Sequence, residues 1–362
     1  MPHLEDYLST LVTRGGSDFH LSPGAPPKIR LHGKLLDLAS EALLGDETRR
    51  LAYSILNNEQ IATFERDWEL DMSFAVEGIG RFRANVFLQR GAVAAVFRMI
   101  PFEVQTMNAL GLPVKLCESL CTTPKGLVLV TGSTGSGKST TLASMIDHIN
   151  RTRDVHVVTI EDPIEFLHRG KRALINQREV GSDTHQFGKA LRSVLRQDPD
   201  VVLIGEMRDL ETIEAALTLA ETGHLTFGTL HTSDAVQTIN RIVDVFPAWQ
   251  QQQIRTQLSF VLQAVFCQQL LPNQTGRGRA LAAEIMVANA AIRALIREDK
   301  AHQIYSQLQT GGREGMQTMN ASLSSLVQRR LISRETAMEH STDKEDLLRM
   351  MASPRPLAGA PA

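Results

Sequence analysis

The chain has 362 residues, 43% hydrophobic and 22% charged, with 38 Lys plus Arg against 40 Asp plus Glu. That length suits two or three domains, and the near-neutral balance lacks the basic surplus expected of a protein that lives on a phosphate backbone. Three cysteines cannot build a disulfide framework, and Cys117 and Cys121 lack the two further ligands of a structural zinc site, so a reducing, cytosolic compartment is expected. No apolar run approaches the ~20 residues of a membrane span. The opening MPHLEDYLSTLV lacks the basic and apolar regions of a signal peptide, so any membrane role would be exerted through a partner.

Residues 1–100 read as a mixed α/β unit. In RFRANVFL (81–88), Phe82, Ala84, Val86 and Leu88 alternate with Arg81, Arg83 and Asn85, as in a half-buried strand. Gly91 allows a turn into a second strand over 92–99, which makes the pair a hairpin. Pro101, Pro113 and Pro124 punctuate a linker with a short helix over 101–125. From residue 126 the pattern changes. GLVLV (126–130), VHVVTI (155–160), VVLI (201–204) and LTFGTL (225–230) are short apolar runs separated by amphipathic helical stretches. That alternation predicts a parallel sheet covered by helices over 126–287. Residues 288–350 read as helices broken at Gly311-Gly312, and 351–362, ending SPRPLAGAPA, as a disordered tail.

GSTGSGKS (132–139) fits the P-loop pattern, follows an apolar strand and opens a helix. Backbone N–H groups from Gly132, Ser133, Thr134, Gly135, Ser136, Gly137 and on to Thr140 would wrap the phosphates of ATP. Lys138 would reach the β- and γ-phosphates, and the Ser139 hydroxyl would ligate Mg²⁺.

VVLIGEMRD (201–209) is an apolar strand ending in an acid, with Gly205 where many P-loop enzymes place an Asp. Glu206 then becomes the group expected to polarise the attacking water, against the alternative of an exposed carboxylate at a strand end. TIEDPIEF (159–166) sets Glu161, Asp162 and Glu165 at the end of another strand. There an acid can orient the nucleophile or act on Mg²⁺ through water, or can simply belong to a solvated turn. His224 and His231 flank the strand in GHLTFGTLHTSDA; either could sense the γ-phosphate or bridge subunits, or be structural.

The order and spacing of these four elements resemble the Walker A, Asp, Walker B and His boxes of the secretion ATPase superfamily, which includes type II secretion, conjugation and type IV pilus motors. SDFHLSPGAPPKIRLHG (17–33) and GRFRANVFLQRGAVAAVFRMIP (80–101) resemble the PAS-like N-terminal domain of that family. REVGSDTHQFGKALRSVLRQDPD (178–200) and RDLETIEAALTLAETGH (208–224) resemble its core. AIRALIREDK (291–300) and GMQTM (315–319) resemble the C-terminal domain of its pilus-retraction branch. Ser133 stands where Pro is frequent, and Asn320 where an acid is.

The resemblance implies a PAS-like N-terminal α/β domain, a RecA-like P-loop NTPase core and a helical C-terminal domain. It implies a homohexamer with ATP between the two domains and Mg²⁺ as cofactor. Glu206 would be the catalytic acid, with Glu161 and Asp162 in the Asp box and His224 and His231 in the His box. Arg83 and Arg98, with Arg81, would reach a nucleotide held by the next subunit. The ring would sit at the inner face of the inner membrane, at the cell pole, and act on a platform protein there. Pilin would be reached only indirectly, an accessory retraction paralogue is a further partner, and nucleic acid is not a direct one.

In AIRALIRED, Ile292, Leu295 and Ile296 follow inward helical spacing, which leaves Arg293 and Arg297 four apart on the outer face. Such a like-charge pair suggests acidic partners beyond the helix, unless Glu298 and Asp299 screen it on a solvated face. Arg293, Leu295, Arg297 and Glu298 are therefore the expected partner-coupling residues. The rival functions are an accessory ring ATPase of the same branch and a RecA-like nucleic-acid translocase.

Overall fold

The computed structural model describes residues 2–31, 33–101, 103–276 and 278–352. The chain divides into two compact units, Met1–Phe102 with Glu165–Leu167, and the remainder.

The first unit contains α1 (Leu4–Thr13), β1 (Asp18–Leu21), β2 (Lys28–Leu31), β3 (Lys34–Asp37), α2 (Gly45–Tyr53), α3 (Asn58–Asp67), β4 (Glu69–Val76), β5 (Gly80–Gln89) and β6 (Ala92–Ile100). Its antiparallel sheet has the order β3-β2-β1-β6-β5-β4. Phe82, Ala84 and Val86 point into its core as the alternation predicts, but Leu88 is 36% exposed, because the hairpin has by then run past the core. Gln89 pairs with Ala92, so Arg90 and Gly91 alone make the turn. Both have positive φ, 51° and 79°, as a two-residue turn matched to strand twist requires.

The second unit begins with α4 (Val114–Thr122), β7 (Gly126–Thr131), α5 (Lys138–Thr152), β8 (His156–Glu161), β9 (Leu174–Glu179), α6 (Phe187–Val194) and β10 (Val201–Ile204). It continues with α7 (Leu210–Glu221), β11 (Leu225–Leu230), α8 (Ala235–Asp244), α9 (Ala248–Val261), β12 (Leu262–Pro272), β13 (Arg279–Val287) and α10 (Ala290–Arg297). Short 3₁₀ turns alternate with α11 (Ile304–Thr310), then α12 (Met319–Gln328), α13 (Arg334–His340) and α14 (Lys344–Ala352) follow. The sheet order is β13-β12-β7-β11-β10-β8-β9, parallel throughout except for β13 against β12.

Along β7 the two faces separate with period two. Leu127 and Leu129 join the core under α6 to α10, whereas Val128 and Val130 join the core under α4 and α5. Burial on both faces explains why β7, β10 and β11 read as unbroken apolar runs. Cys117 and Cys121 pack into the second of these cores, where burial raises both thiols, Cys117 to about 12. They serve as small apolar side chains. Helices α12 to α14 cover the far end of β12 and β13 through Leu323, Leu326, Ala337 and Leu347, with Ile332 from the turn between α12 and α13. Met351 and Ala352 close α14, a correction to the tail expected from residue 351; residues 353–362 of that tail lie outside the described residues. Among the described residues no helix is long and apolar enough to cross a membrane.

Candidate active site

Parallel strands put all their carboxyl ends on one sheet edge, and four loops with chemistry leave from that edge. Residues 132–137 leave β7 and turn through Gly132, Gly135 and Gly137, whose φ values of 138°, 81° and 92° an L side chain rarely adopts. At Gly132 a Cβ would run into the Gln268 carbonyl oxygen of β12 and lie 2.6 Å from Ser136 Oγ. The loop is thus clamped between its own Ser136 and the neighbouring strand. The first hydrogen bond of α5 runs from Thr141 N to Gly137 O, so the N–H groups of Lys138, Ser139 and Thr140 have no helical acceptor. They face outward with the positive end of the helix, an arrangement suited to phosphate.

Lys138 Nζ donates to the carbonyl oxygens of Gly132 (2.8 Å) and Ser133 (3.1 Å), which holds the ammonium over the loop. Burial presses its pKa below the usual lysine value, and the Glu206 carboxylate partly offsets this. Ser139 is exposed at the helix start. Its hydroxyl is a hard oxygen donor beside the phosphate site, which fits Mg²⁺, an ion that takes few protein ligands alongside phosphate and water.

Glu206 follows β10. Arg208, two residues on, grips it with a fork, Nε to Oε1 and Nη2 to Oε2, both at 2.7 Å. His231 Nε2, just past β11, lies 2.9 Å from Oε1. The Arg208 guanidinium holds the Glu206 carboxyl below the ordinary carboxylate range; desolvation opposes this and His231 assists it. Glu161 closes β8 and is buried, accepting from Thr159 Oγ1 (2.6 Å) and Gln177 Nε2 (3.3 Å). Asp162 is exposed and precedes Pro163 through a cis peptide bond.

The fold thus brings Glu161, Asp162, Glu206 and His231 to the P-loop edge. His224 is not among them. It precedes β11, at the opposite end of a six-residue strand, roughly 20 Å away at the usual rise per residue. There its Nδ1 meets Leu219 O (3.0 Å) and Thr222 Oγ1 (3.2 Å), and its carbonyl accepts from Gly126 N, so it locks the turn from α7 into β11. Sequence reasoning missed three contributors. Arg208 is one. Arg279 Nη1 reaches Gly135 O at 3.4 Å, and Gln268 backs the loop by pairing with Thr141. The last two stand on β12 and β13, strands the sequence reading did not place.

In the first unit Arg83 lies directly opposite Arg98 in the β5–β6 register, with Arg81 two residues away on the same face. Arg98 Nε donates to the buried Asp18 (2.8 Å), and Arg83 Nη1 to Glu165 (3.2 Å). In α10, Ile292 and Ile296 are fully buried and Leu295 packs beside them, as expected. The arginines are a correction. Arg293 Nη1 donates to the last carbonyls of α9, Ser259 O (2.5 Å) and Phe260 O (2.8 Å), and Arg297 Nη1 to Ser259 Oγ (3.4 Å). The guanidinium of Arg297 also sits over the Phe260 ring, 5.9 Å from its centroid. A helix carboxyl end, not an acidic side chain, receives the charge. Glu298 pairs with Lys300, and Asp299 with Arg255.

A P-loop closing a parallel strand, with a carboxylate and a histidine on the adjoining strand ends, defines a nucleotide-hydrolysing P-loop enzyme of RecA-like type. Residues 91–339 match the family of type II/IV secretion system proteins, and the chain belongs to that family. It is 51% identical over 343 residues to the type IV pilus retraction ATPase PilT of Pseudomonas aeruginosa, covering 95% of this chain and 99% of the relative. Identity is 49% over 321 residues to a twitching motility protein of Neisseria gonorrhoeae, 89% of this chain and 86% of that one. The type IV pilus ATPase PilU of P. aeruginosa is 37% identical over 347 residues, 96% and 91% of the two chains. The crystal structure of the pilus retraction motor PilT with bound ADP superposes with a TM-score of 0.90 at 51% identity, covering 97% of this chain and all of that one.

Proposed function

We propose that this chain is the ATP-hydrolysing motor of type IV pilus retraction. End-to-end identity of 51% to a retraction ATPase, against 37% to PilU, carries the reading. ATP would lie with its phosphates on the N–H groups of Lys138, Ser139 and Thr140, and the Lys138 ammonium would bridge its β- and γ-oxygens. Glu206 would orient the attacking water and accept its proton as the β–γ bridging P–O bond breaks, releasing ADP and phosphate. His231, through its bond to Oε1, would fix the aim of that carboxylate. Mg²⁺ held at Ser139 would neutralise charge on the phosphate oxygens.

Six chains would form a ring on the cytoplasmic face of the inner membrane. Arg83, Arg98 and Arg81 of each would approach the nucleotide of the next. Arg83 and Arg98 stand opposite one another in the β5–β6 register, each paired with a carboxylate, Glu165 and Asp18, for which a phosphate would compete. The ring would act on the platform protein, and through it on pilin, with Arg297 on α10 as a coupling residue and a PilU-like paralogue as an accessory. Deleting the gene and imaging the cells tests the reading. Excess surface pili that never shorten are expected; an unchanged pilus number with normal shortening would refute it.

A further inference from the structure

The water-orienting role proposed for Glu206 needs at least one carboxylate oxygen turned toward the phosphates, yet Arg208 occupies both. The fork is local, formed by a residue two positions along the same loop, and 66% of the Arg208 side chain is exposed. Its backbone is held in place, since the Arg208 carbonyl accepts from Arg241 Nη2 (3.4 Å) and the preceding Met207 N donates to Thr229 O (2.9 Å). The guanidinium can therefore swing while the loop stays fixed. A bidentate arginine–carboxylate pair is the most directional ion pair available to side chains.

We propose that Arg208 is a positioning residue of the hydrolytic reaction, a clamp that parks Glu206 in a two-oxygen ion pair and must release it before Glu206 can address water. The proposal rests on the assignment of Glu206 as the water-orienting group. Three cationic or titratable groups act on that carboxylate: Arg208, His231 and Lys138. Asp162, after the neighbouring strand β8, also acts electrostatically on Arg208. The clamp explains why the carboxyl is held below its ordinary range. A basic water-orienting group works best with a pKa near the working pH, so the clamped state is the less reactive one.

The test uses the purified full-length protein with ATP and compares wild type, Arg208→Gln, Arg208→Lys and Glu206→Gln. At pH 8 the clamp predicts that Arg208→Gln raises basal turnover about two- to fivefold, the range an exposed ion pair is worth. Without the guanidinium the Glu206 pKa rises, so the acid limb of kcat/KM moves to higher pH. Arg208→Lys should move it less, in the same direction, because a lysine keeps the charge but not the fork. ADP affinity should match wild type in both. Turnover unchanged or reduced in Arg208→Gln with an unmoved acid limb, while Glu206→Gln is inactive, overturns the clamp and leaves Glu206 in its role. Wild-type turnover in Glu206→Gln overturns both.

Discussion

At Gly205 strands β8 and β10 approach so closely that a Cβ would lie 3.1 Å from Glu161 Cα and 3.2 Å from Ile160 O. An acid at that position would have to push the two strands apart, so the first carboxylate with room to act is Glu206. Glu206→Gln should leave ATP binding intact and slow turnover by about a hundredfold or more, since a general base contributes roughly 10²–10⁴; steady-state ATPase assays beside equilibrium nucleotide binding measure both. Gly132→Ala meets a harder obstacle, a backbone carbonyl at a φ of 138°. It should cost about 1–3 kcal/mol and abolish ADP binding, read by denaturant unfolding and calorimetric titration. Glu206 was legible because a strand that ends in an acid next to a P-loop announces itself. Arg208 was not, because its fork depends on the curl of a loop whose shape the residues MRD do not specify. The placement of His224 was obscured for a related reason: six residues separate it from His231, and a strand carries those six to opposite ends of the sheet.

The elements that were hardest to read are the ones that complete the site. Helix α9 passes into β12 with no intervening turn, Val261 ending one and Leu262 starting the other. The apolar residues of QLSFVLQAVFCQQLL satisfy both helical and strand spacing there, so periodicity alone could not mark the change. Yet β12 pairs with β7 and sets Gln268 against the P-loop. By contrast α10 was legible from Ile292, Leu295 and Ile296, while the receiver of its arginines was not, because the carboxyl end of α9 is distant in sequence. Arg293→Ala should therefore destabilise the fold by about 1–2 kcal/mol through the lost bonds to Ser259 O and Phe260 O. Among the described residues, the Arg297 guanidinium makes one long hydrogen bond and a ring contact. Arg297→Ala should change stability by about 0.5 kcal/mol or less and leave ATP turnover within about threefold, while abolishing pilus shortening in cells. Unfolding curves, ATPase rates and microscopy on the two variants would separate a brace from a coupling residue; normal shortening in Arg297→Ala would make both arginines structural.

In a ring of whole molecules, one chain's arginines would serve another chain's nucleotide. Arg83→Ala and Arg98→Ala should each slow hydrolysis without weakening nucleotide binding to a single subunit, and mixing either with Lys138→Ala should restore some activity, because some mixed rings regain a complete site. An arginine acting in trans is worth ~10³–10⁵ in related NTPases, so even partial restoration is measurable. Activity equal to the sum of the separate variants would place the arginines in a role within their own unit, as the bonds to Asp18 and Glu165 allow. The central claim is that hydrolysis at the P-loop edge drives retraction, and live imaging of labelled pili in a deletion strain tests it most directly. The strain carries either the wild-type chain or Glu206→Gln at equal abundance. Pili that extend and shorten with the first, and extend without shortening with the second, are the predicted result. Shortening at the wild-type frequency in the Glu206→Gln strain would contradict it.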